Sequence, residues 1–309
     1  MAIFRIGIEI GGTKLQLALG DDLGKVLDRV RLVVQPGLGA AGIQNQIAKT
    51  LPGLIGERNI AAIGVGFGGP VDWRTGCVCR SHQIGGWSEF DLGGWLHEQT
   101  GSPVRVDNDA NVAALGEAKQ GAGVGLNPVF YVTLGSGVGG GLILNDQIYH
   151  GFTPGEAEIG HIRLDRQGTT VEQRCSGWAV DAQIRELRSQ NPTGMLARSV
   201  AGMSGGEARQ LKTALEQGDP DAGRILGELG EDLAFGLSHV THLFHPEAII
   251  LGGGLSALGE MLRIEVEQAL RRFIMDAFQP GPRILLSSLS EDAVPVGALA
   301  LAGLQAREK

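Results

Sequence analysis

The spacing of apolar residues in the first third of the chain predicts short strands followed by alternating helices and strands. Two strand-like runs, 3–10 and 14–19, are joined by Gly11-Gly12-Thr13, and a third run at 26–34 follows a polar turn. Three strands joined by such short turns are typical of an antiparallel meander. The pattern then predicts a helix at 40–56, a buried strand at 60–67, a helix near 91–100 and a strand at 104–106.

The same order of elements begins again at Phe130. Strand-like runs at 130–134 and 142–144 flank a glycine-rich turn, and a short run at 148–149 follows it. Further on, the pattern predicts helices at 221–244, 257–278 and 294–304 and a buried strand at 248–251. Two halves that each open with a glycine-turned meander predict a duplicated α/β fold, with a ligand in the cleft between two lobes. We expect a small lobe over 1–107, a large lobe over 108–292, and a C-terminal helical segment, 293–309, packed on the small lobe.

Glycine changes this picture, because its positions point to ligand contact. Fifty of the 309 residues are glycine, about twice the average share of about 7%. Apolar residues make up 43% of the chain, enough for a core, and no collagen-like period occurs. The glycines concentrate at 11–12, 66–69, 135–141 and 252–254. Clustered glycine between apolar runs indicates backbone that approaches a ligand closely.

Charge and targeting signals exclude several classes of partner. The formal net charge is −8 and no block of five like charges occurs, which argues against nucleic acid and against a polybasic membrane patch. Arg5 and Glu9 interrupt the N-terminal apolar run where a signal peptide needs continuity. The apolar stretch 248–259 is too short and too interrupted to span a bilayer. Three cysteines fit a reducing compartment, so we expect a cytoplasmic protein.

The glycine turns are candidate phosphate sites. The run 135–140 matches G-x-G-x-x-G, but a strand follows it where a dinucleotide fold requires a helix. A β-hairpin whose exposed N–H groups surround an anion is the alternative. The first turn ends in Thr13 and Lys14, which add a hydroxyl and an ammonium group. A single turn of this kind is more often a plain hairpin. Two matched turns, together with Gly252-Gly253-Gly254 after a buried strand, favour phosphate binding.

Polar residues cluster at the end of the strand at 104–106. Asp107, Asn108, Asp109 and Asn111 lie within five positions. A helix N-cap needs only one of them. An amide and a carboxylate there suit recognition of a hydroxyl group, and an aspartate can accept its proton.

Two groups of residues that contain histidine are interpreted differently. Glu156, Glu158 and His161 form a second polar group after a Pro-Gly turn, for which a structural and a ligand-binding role remain equally open. His239, His242 and His245 are better explained by the dipole of a helix end.

Taken together, these residues resemble the ROK family of sugar kinases and sugar-responsive repressors. The resemblance covers nearly the whole chain and rests on an ordered set of motifs at 8–14, 66–72, 107–111, 133–141, 155–161 and 251–254. It implies the duplicated actin-like ATPase (ribonuclease H-like) fold, with two lobes around a central cleft.

The resemblance also implies roles for individual residues. Asp109 matches the family's catalytic base. The implied sugar-binding residues are Gly69, Asn108, Asp109, Glu158, His161 and Glu172. The implied nucleotide-binding residues are Glu9, Gly11, Gly12, Thr13, Lys14, Thr133, Gly135, Ser136, Gly137, Gly252, Gly253 and Gly254.

The chain departs from the family pattern in two places. Glu9 stands where an aspartate near magnesium is usual, a variant that some members share. The family's zinc-binding loop, Cys-x-Cys-Gly-x-x-Gly-Cys, is missing, although the segment 171–177 is similar to the tail that follows it and carries Glu172. We therefore expect no structural zinc.

These features predict a homodimeric, ATP- and Mg²⁺-dependent kinase acting on the 6-hydroxyl of glucose or a related hexose. Kinases of N-acetylglucosamine, N-acetylmannosamine, mannose or fructose are alternatives, and polyphosphate is an alternative donor. A sugar-sensing regulator is another class, but the first strand begins at about Ile3, and we expect no DNA-binding domain before it.

Overall fold

The computed structural model describes residues 3–79, 84–153, 155 and 157–304. Its strands are β1 Phe4–Ile10, β2 Lys14–Gly20, β3 Val26–Val33, β4 Ile60–Phe67, β5 Val71–Asp72, β6 Cys77–Val78, β7 Phe90–Asp91, β8 Val104–Asn108, β9 Val129–Leu134, β10 Val138–Leu144, β11 Gln147–Ile148, β12 Ala248–Gly252 and β13 Arg283–Leu286. Its α-helices are α1 Gly39–Ile55, α2 Leu92–Thr100, α3 Asp109–Gln120, α4 Val171–Cys175, α5 Gly177–Gln190, α6 Met195–Ser199, α7 Leu211–Glu216, α8 Pro220–Phe244, α9 Glu260–Leu270 and α10 Ala293–Gly303.

The first sheet has the strand order β3-β2-β1-β4-β8. Strands β1, β2 and β3 form the antiparallel meander expected from the sequence, whereas β4 and β8 add in parallel. Apolar side chains of β1, β2 and β4 pack with those of α1 in one core cluster. The continuous apolar runs of these strands follow from this burial, because a strand inside a sheet covered by helices has little contact with water.

The second sheet repeats this topology, with the strand order β11-β10-β9-β12-β13. Strands β10 and β11 pair antiparallel, and β12 is parallel to both β9 and β13. In both sheets the first strand of the meander pairs in parallel with a strand that comes later in the sequence. These pairs are β1 with β4 and β9 with β12. This shared order confirms the prediction of a duplicated α/β fold. A small antiparallel sheet, β5-β6-β7, follows β4.

The chain forms two compact units that alternate along the sequence. Unit 1 comprises residues 1–125, 141–156 and 291–309, and unit 2 comprises 126–140 and 157–290. The division after residue 107 that we expected from the sequence differs from these units, because α3 groups with the first sheet. Within the part of the chain that the structure describes, no helix is both long and apolar enough to cross a bilayer.

Helix α10 packs within unit 1 against β1, β4 and α3. The contact is backbone to backbone. A Cβ atom on Gly64 of β4 would lie 1.9 Å from the carbonyl oxygen of Ala298, and one on Gly297 would lie 1.8 Å from that of Val112. These glycines therefore allow the close approach of a helix, and they belong to the packing of the fold.

Candidate active site

Glu9 lies at the end of β1, next to the first glycine turn. The turn closes through a hydrogen bond from the Gly11 N–H to the carbonyl oxygen of Lys14, 2.9 Å long. Lys14 Nζ lies 3.0 Å from Glu9 Oε1, and Gln16 Nε2 donates to Glu9 Oε2 over 2.6 Å. Burial of the Glu9 carboxyl raises its pKa, and the neighbouring Lys14 opposes that rise. The carboxylate is thus held in a fixed place beside the turn.

The loop after β4 lies close to both Asp109 and the same turn. Gly68 donates its N–H to the carbonyl oxygen of Ile10 over 2.8 Å. A Cβ atom on Gly68 would lie 3.4 Å from Asp109 Oδ2 and 3.6 Å from the Cα atom of Gly11. Within unit 1, therefore, the carboxylate of Asp109 and two glycine-rich backbone segments meet.

Asn108 caps helix α3 and also touches the loop after β4. Its Oδ1 accepts hydrogen bonds from the N–H groups of Ala110 and Asn111, at 2.9 and 3.3 Å. Its Nδ2 donates to the carbonyl oxygen of Gly69 over 3.2 Å. Of the polar residues in this cluster, Asn108 is the N-cap. Capping therefore accounts for Asn108 and leaves the carboxylate of Asp109 at the first position of the helix.

Asp107 forms a buried ion-pair geometry that the sequence did not reveal. Its Oδ2 lies 2.7 Å from His150 Nε2, and its Oδ1 accepts from Asn111 Nδ2 over 3.0 Å. The His150 ring stacks on Trp73 with the ring centroids 4.2 Å apart. Arg74 lies over the Trp73 ring, with its Cζ atom 5.3 Å from the ring centroid. Asp107, which directly precedes Asn108 and Asp109, is therefore held in place by His150, a residue far from it in the sequence.

In unit 2, the second glycine turn joins β9 to β10. The Gly135 N–H donates to the carbonyl oxygen of Gly137 over 3.0 Å. Strand β10 begins at Val138, so the turn is shorter than the glycine-rich stretch 135–141. Glu172 Oε2 accepts from the Val138 N–H over 2.9 Å. The Gly177 N–H donates to the Gly135 carbonyl oxygen over 2.7 Å, which fixes the start of α5 against the turn.

The third glycine cluster lies beside this turn, also in unit 2. Gly252 pairs with Thr133 across the parallel strands β12 and β9. Gly253 has a φ of +79°, and a Cβ atom there would lie 2.5 Å from the Leu134 nitrogen. Apart from its chain neighbours, none of the described residues has a heavy atom within 4 Å of the Cβ position of Gly254. The structure thus brings together the predicted nucleotide residues at 133–137 and 252–254.

Glu158 directly precedes a 3-10 helix, Ile159–His161, and His161 is the last residue of that helix. Both residues are exposed. A Cβ atom on Gly160 would lie 2.2 Å from the carbonyl oxygen of Val138, so this helix lies against β10. Glu156, the third member of the polar group seen in the sequence, lies outside the described residues.

Unit 2 also contains a cavity of about 540 Å³. Three predicted residues, Gly135, Ser136 and Gly254, line it. The sequence analysis missed four other residues that line it, namely Trp178, Asp181, Arg209 and Lys212. These four residues lie on or next to the helices α5 and α7, for which the apolar pattern gave no prediction.

The described residues contain no group of three or more His, Cys, Asp or Glu side chains arranged to hold a metal ion. The thiols of Cys77, Cys79 and Cys175 are free. Burial raises the pKa of the Cys175 thiol well above its usual value, as is typical of an inert core cysteine.

Comparisons with known proteins show which family the chain belongs to. The ROK family profile matches residues 5–304. The glucokinase of Streptomyces coelicolor is 32% identical over 309 residues, which cover 96% of each chain. A ROK family glucokinase from Streptomyces griseus, solved with glucose and AMPPNP, is 32% identical with a TM-score of 0.84, and 97% of this chain and 99% of that one align. A ROK hexokinase from Thermus thermophilus is 27% identical with a TM-score of 0.79, and 97% of each chain aligns. The chain described here belongs to the ROK family.

Proposed function

We propose that the protein is an ATP-dependent sugar kinase that phosphorylates the 6-hydroxyl of glucose or a closely related hexose. The observation that carries the proposal is that Gly68 lies close to both the Asp109 carboxylate and Gly11 of the first glycine turn. Similar proteins support the same activity, since glucokinases from several bacteria match over nearly the whole chain.

Asp109 is the proposed general base. Its Oδ1 accepts a hydrogen bond from the Ala110 N–H over 2.9 Å, while Oδ2 faces the glycine-rich loop at Gly68. The carboxylate would accept the proton of the sugar hydroxyl as that oxygen forms a bond to the γ-phosphorus. The bond from this phosphorus to the bridging oxygen breaks, and ADP leaves. General bases of this kind typically contribute about 10²- to 10⁴-fold to the rate.

Backbone N–H groups do much of the proposed phosphate binding. Phosphoryl transfer depends mainly on positioning and charge stabilisation, which preorganised amides supply well. We assign the phosphate site in unit 1 to the turn of Gly11, Gly12, Thr13 and Lys14, which the Gly11 N–H closes. In unit 2 we assign it to Thr133, Gly135, Ser136 and Gly137, where the Gly135 N–H closes the turn, with Gly252, Gly253 and Gly254 on the adenosine side.

We assign the sugar contacts to Gly69, Asn108, Glu158, His161 and Glu172. Asn108 is preorganised by its cap and by the Gly69 carbonyl group. Glu172 uses Oε2 to hold the Val138 N–H, and among the described residues its Oε1 has no partner. That oxygen is left for a sugar hydroxyl.

The residues present fit a Mg²⁺ ion bound together with the donor phosphates. Mg²⁺ usually takes one or two carboxylates plus phosphate oxygens, and Glu9 offers such a carboxylate next to the first glycine turn. When bound, the ion would neutralise charge on the phosphates. Glu9 stays oriented for it through Lys14 and Gln16.

The test is the Asp109→Asn variant, which preserves size and the hydrogen bond from Ala110. We expect it to fold normally and to lose about 10²- to 10⁴-fold of glucose phosphorylation. Asp28→Asn, an exposed substitution on β3, is the control and should keep the parent rate. A correctly folded Asp109→Asn enzyme with the parent rate would show that the base is another group.

One coupled assay across glucose, mannose, fructose, N-acetylglucosamine and N-acetylmannosamine identifies the substrate. Activity confined to an N-acetylhexosamine or to fructose would replace the glucose assignment. We further propose a cytoplasmic homodimer, in agreement with the acidic chain and the family resemblance. Light scattering of the purified protein measures its mass.

A further inference from the structure

The cavity in unit 2 has an unusual wall for a phosphate site. Trp178 is the only aromatic side chain among the described residues that line it. Two buried leucines, Leu255 and Leu258, form apolar surface of the same cavity. The glycine turn at Gly135-Ser136 also lines the cavity. An indole and a candidate phosphate-binding turn in one cavity offer a contact for each of the two parts of a nucleotide, the base and the phosphates.

Trp178 is held in place yet remains exposed. It is the second residue of α5, directly after Gly177, whose N–H bonds to the Gly135 carbonyl oxygen. Ser176 caps the same helix by accepting from the Ala179 N–H over 3.1 Å. The backbone at Trp178 is therefore fixed relative to the turn, but 63% of the residue remains accessible to solvent. Large aromatic faces left in water at a cavity commonly serve as stacking surfaces.

The charges of the cavity favour an anion. Arg209 and Lys212 line it and have no ion-pair partner among the residues that the structure describes. The carboxylate of Asp181, which also lines the cavity, is engaged by the N–H groups of Gly206 and Ala208, at 3.0 and 2.7 Å. Two free cations on a chain with net charge −8 raise the local affinity for an anionic ligand.

We propose that Trp178 selects the phosphoryl donor by stacking on the purine base of a nucleotide. This proposal rests on the proposed kinase function and extends it, because it predicts a preference for nucleotides over donors that lack a base. Arg209 and Lys212 attract either kind of anion, whereas the indole recognises only the base. Trp178 thus contributes to donor specificity and takes no part in the chemistry at Asp109.

The experiment measures ADP affinity and inorganic tripolyphosphate affinity for the full chain and for Trp178→Ala and Trp178→Phe. Stacking of one base on an aromatic residue predicts a loss of ADP affinity on the order of 10-fold in Trp178→Ala. Trp178→Phe should retain much of the affinity, because a phenyl ring still stacks. Tripolyphosphate affinity should stay unchanged in both variants, since it carries no base.

Tryptophan fluorescence gives a second readout that does not depend on turnover. ADP should quench the emission of the parent protein and of the control variant Trp95→Phe, whose residue is a partly buried core side chain of unit 1. The quenching should disappear in Trp178→Phe. Unchanged ADP affinity in Trp178→Ala, or an equal loss of tripolyphosphate affinity, would overturn the proposal. Absence of hexose phosphorylation with intact, Trp178-dependent ADP binding would refute only the kinase assignment.

Discussion

Asp107 carries a buried negative charge whose fixed partner is a histidine. Only 3% of the residue is exposed, and His150 Nε2 lies 2.7 Å from its carboxylate. We expect His150→Ala to lower the free energy of unfolding by about 2–4 kcal/mol, because it leaves this buried carboxylate with one hydrogen-bond partner fewer. His150→Phe should cost less, since its ring still stacks on Trp73. Urea denaturation measures both effects.

The contribution of the Asp107–His150 contact can be separated from packing. Asp107→Asn removes the carboxylate that His150 contacts. The double variant Asp107→Asn/His150→Phe should therefore lose less stability than the sum of the two single variants. Strictly additive losses would mean that His150 acts through packing alone.

Glu9 gives a pH dependence of known sign. Its folded-state pKa is raised above the usual 4.5 by burial. Protonated Glu9 is therefore favoured in the folded state, and this contribution to stability is present at low pH and is lost as the pH rises through the raised pKa. We expect the parent protein to lose stability relative to Glu9→Gln over this interval. Thermal unfolding from pH 4 upwards in a magnesium-free buffer measures the difference, and parallel curves would contradict it.

At the residue scale, the sequence could predict that a polar cluster with Asn108 and Asp109 lies between a strand and a helix, but it could not predict the contact of His150 with Asp107. A cap and a carboxylate at a strand end leave a local pattern, because the residues that need each other are neighbours. His150 acquires its role through contacts with Asp107 and Trp73, which lie far away in the chain. Nothing in its own neighbourhood marks it.

At the scale of elements, close packing of α10 depends on positions without a side chain. We expect Gly297→Ala to lower the free energy of unfolding by about 3 kcal/mol or more, because its Cβ atom would lie 1.8 Å from the Val112 carbonyl oxygen. Gly223→Ala in α8 is the matched control, since its Cβ position is open. It should raise the free energy of unfolding by about 0.5–1 kcal/mol. A Gly297→Ala protein as stable as the parent would show that α10 can shift away.

The apolar pattern predicted strands well and short helices poorly. Strand β4 spans the predicted residues, because a continuous apolar run is a strong signal. Helices α5, α6 and α7 were missed, although Thr170 and Gln173 form a capping box that marks the start of this region. The helix predicted over 257–278 is interrupted at Gly259, whose φ of +67° ends one helical segment before α9.

At the scale of the whole molecule, the fold should not need zinc. The described residues hold no group of three or more His, Cys, Asp or Glu side chains arranged to bind a metal ion. The sequence between His161 and Glu172 contains no cysteine. We expect metal analysis of the untagged protein to find no stoichiometric zinc and a chelator to leave the melting temperature unchanged. Stoichiometric zinc, or a lower melting temperature after chelation, would contradict this.

The position of α10 has a consequence for how the protein is made. The first sheet is translated early, but the helix that covers β1 and β4 begins only at Ala293. During translation, the face of the first sheet that α10 covers stays exposed until the residues up to 293 have been synthesised. A nascent chain stalled before residue 293 would therefore expose apolar surface of an incompletely folded unit 1 to chaperones and proteases. Unit 1 therefore completes its packing only after α10 has been translated.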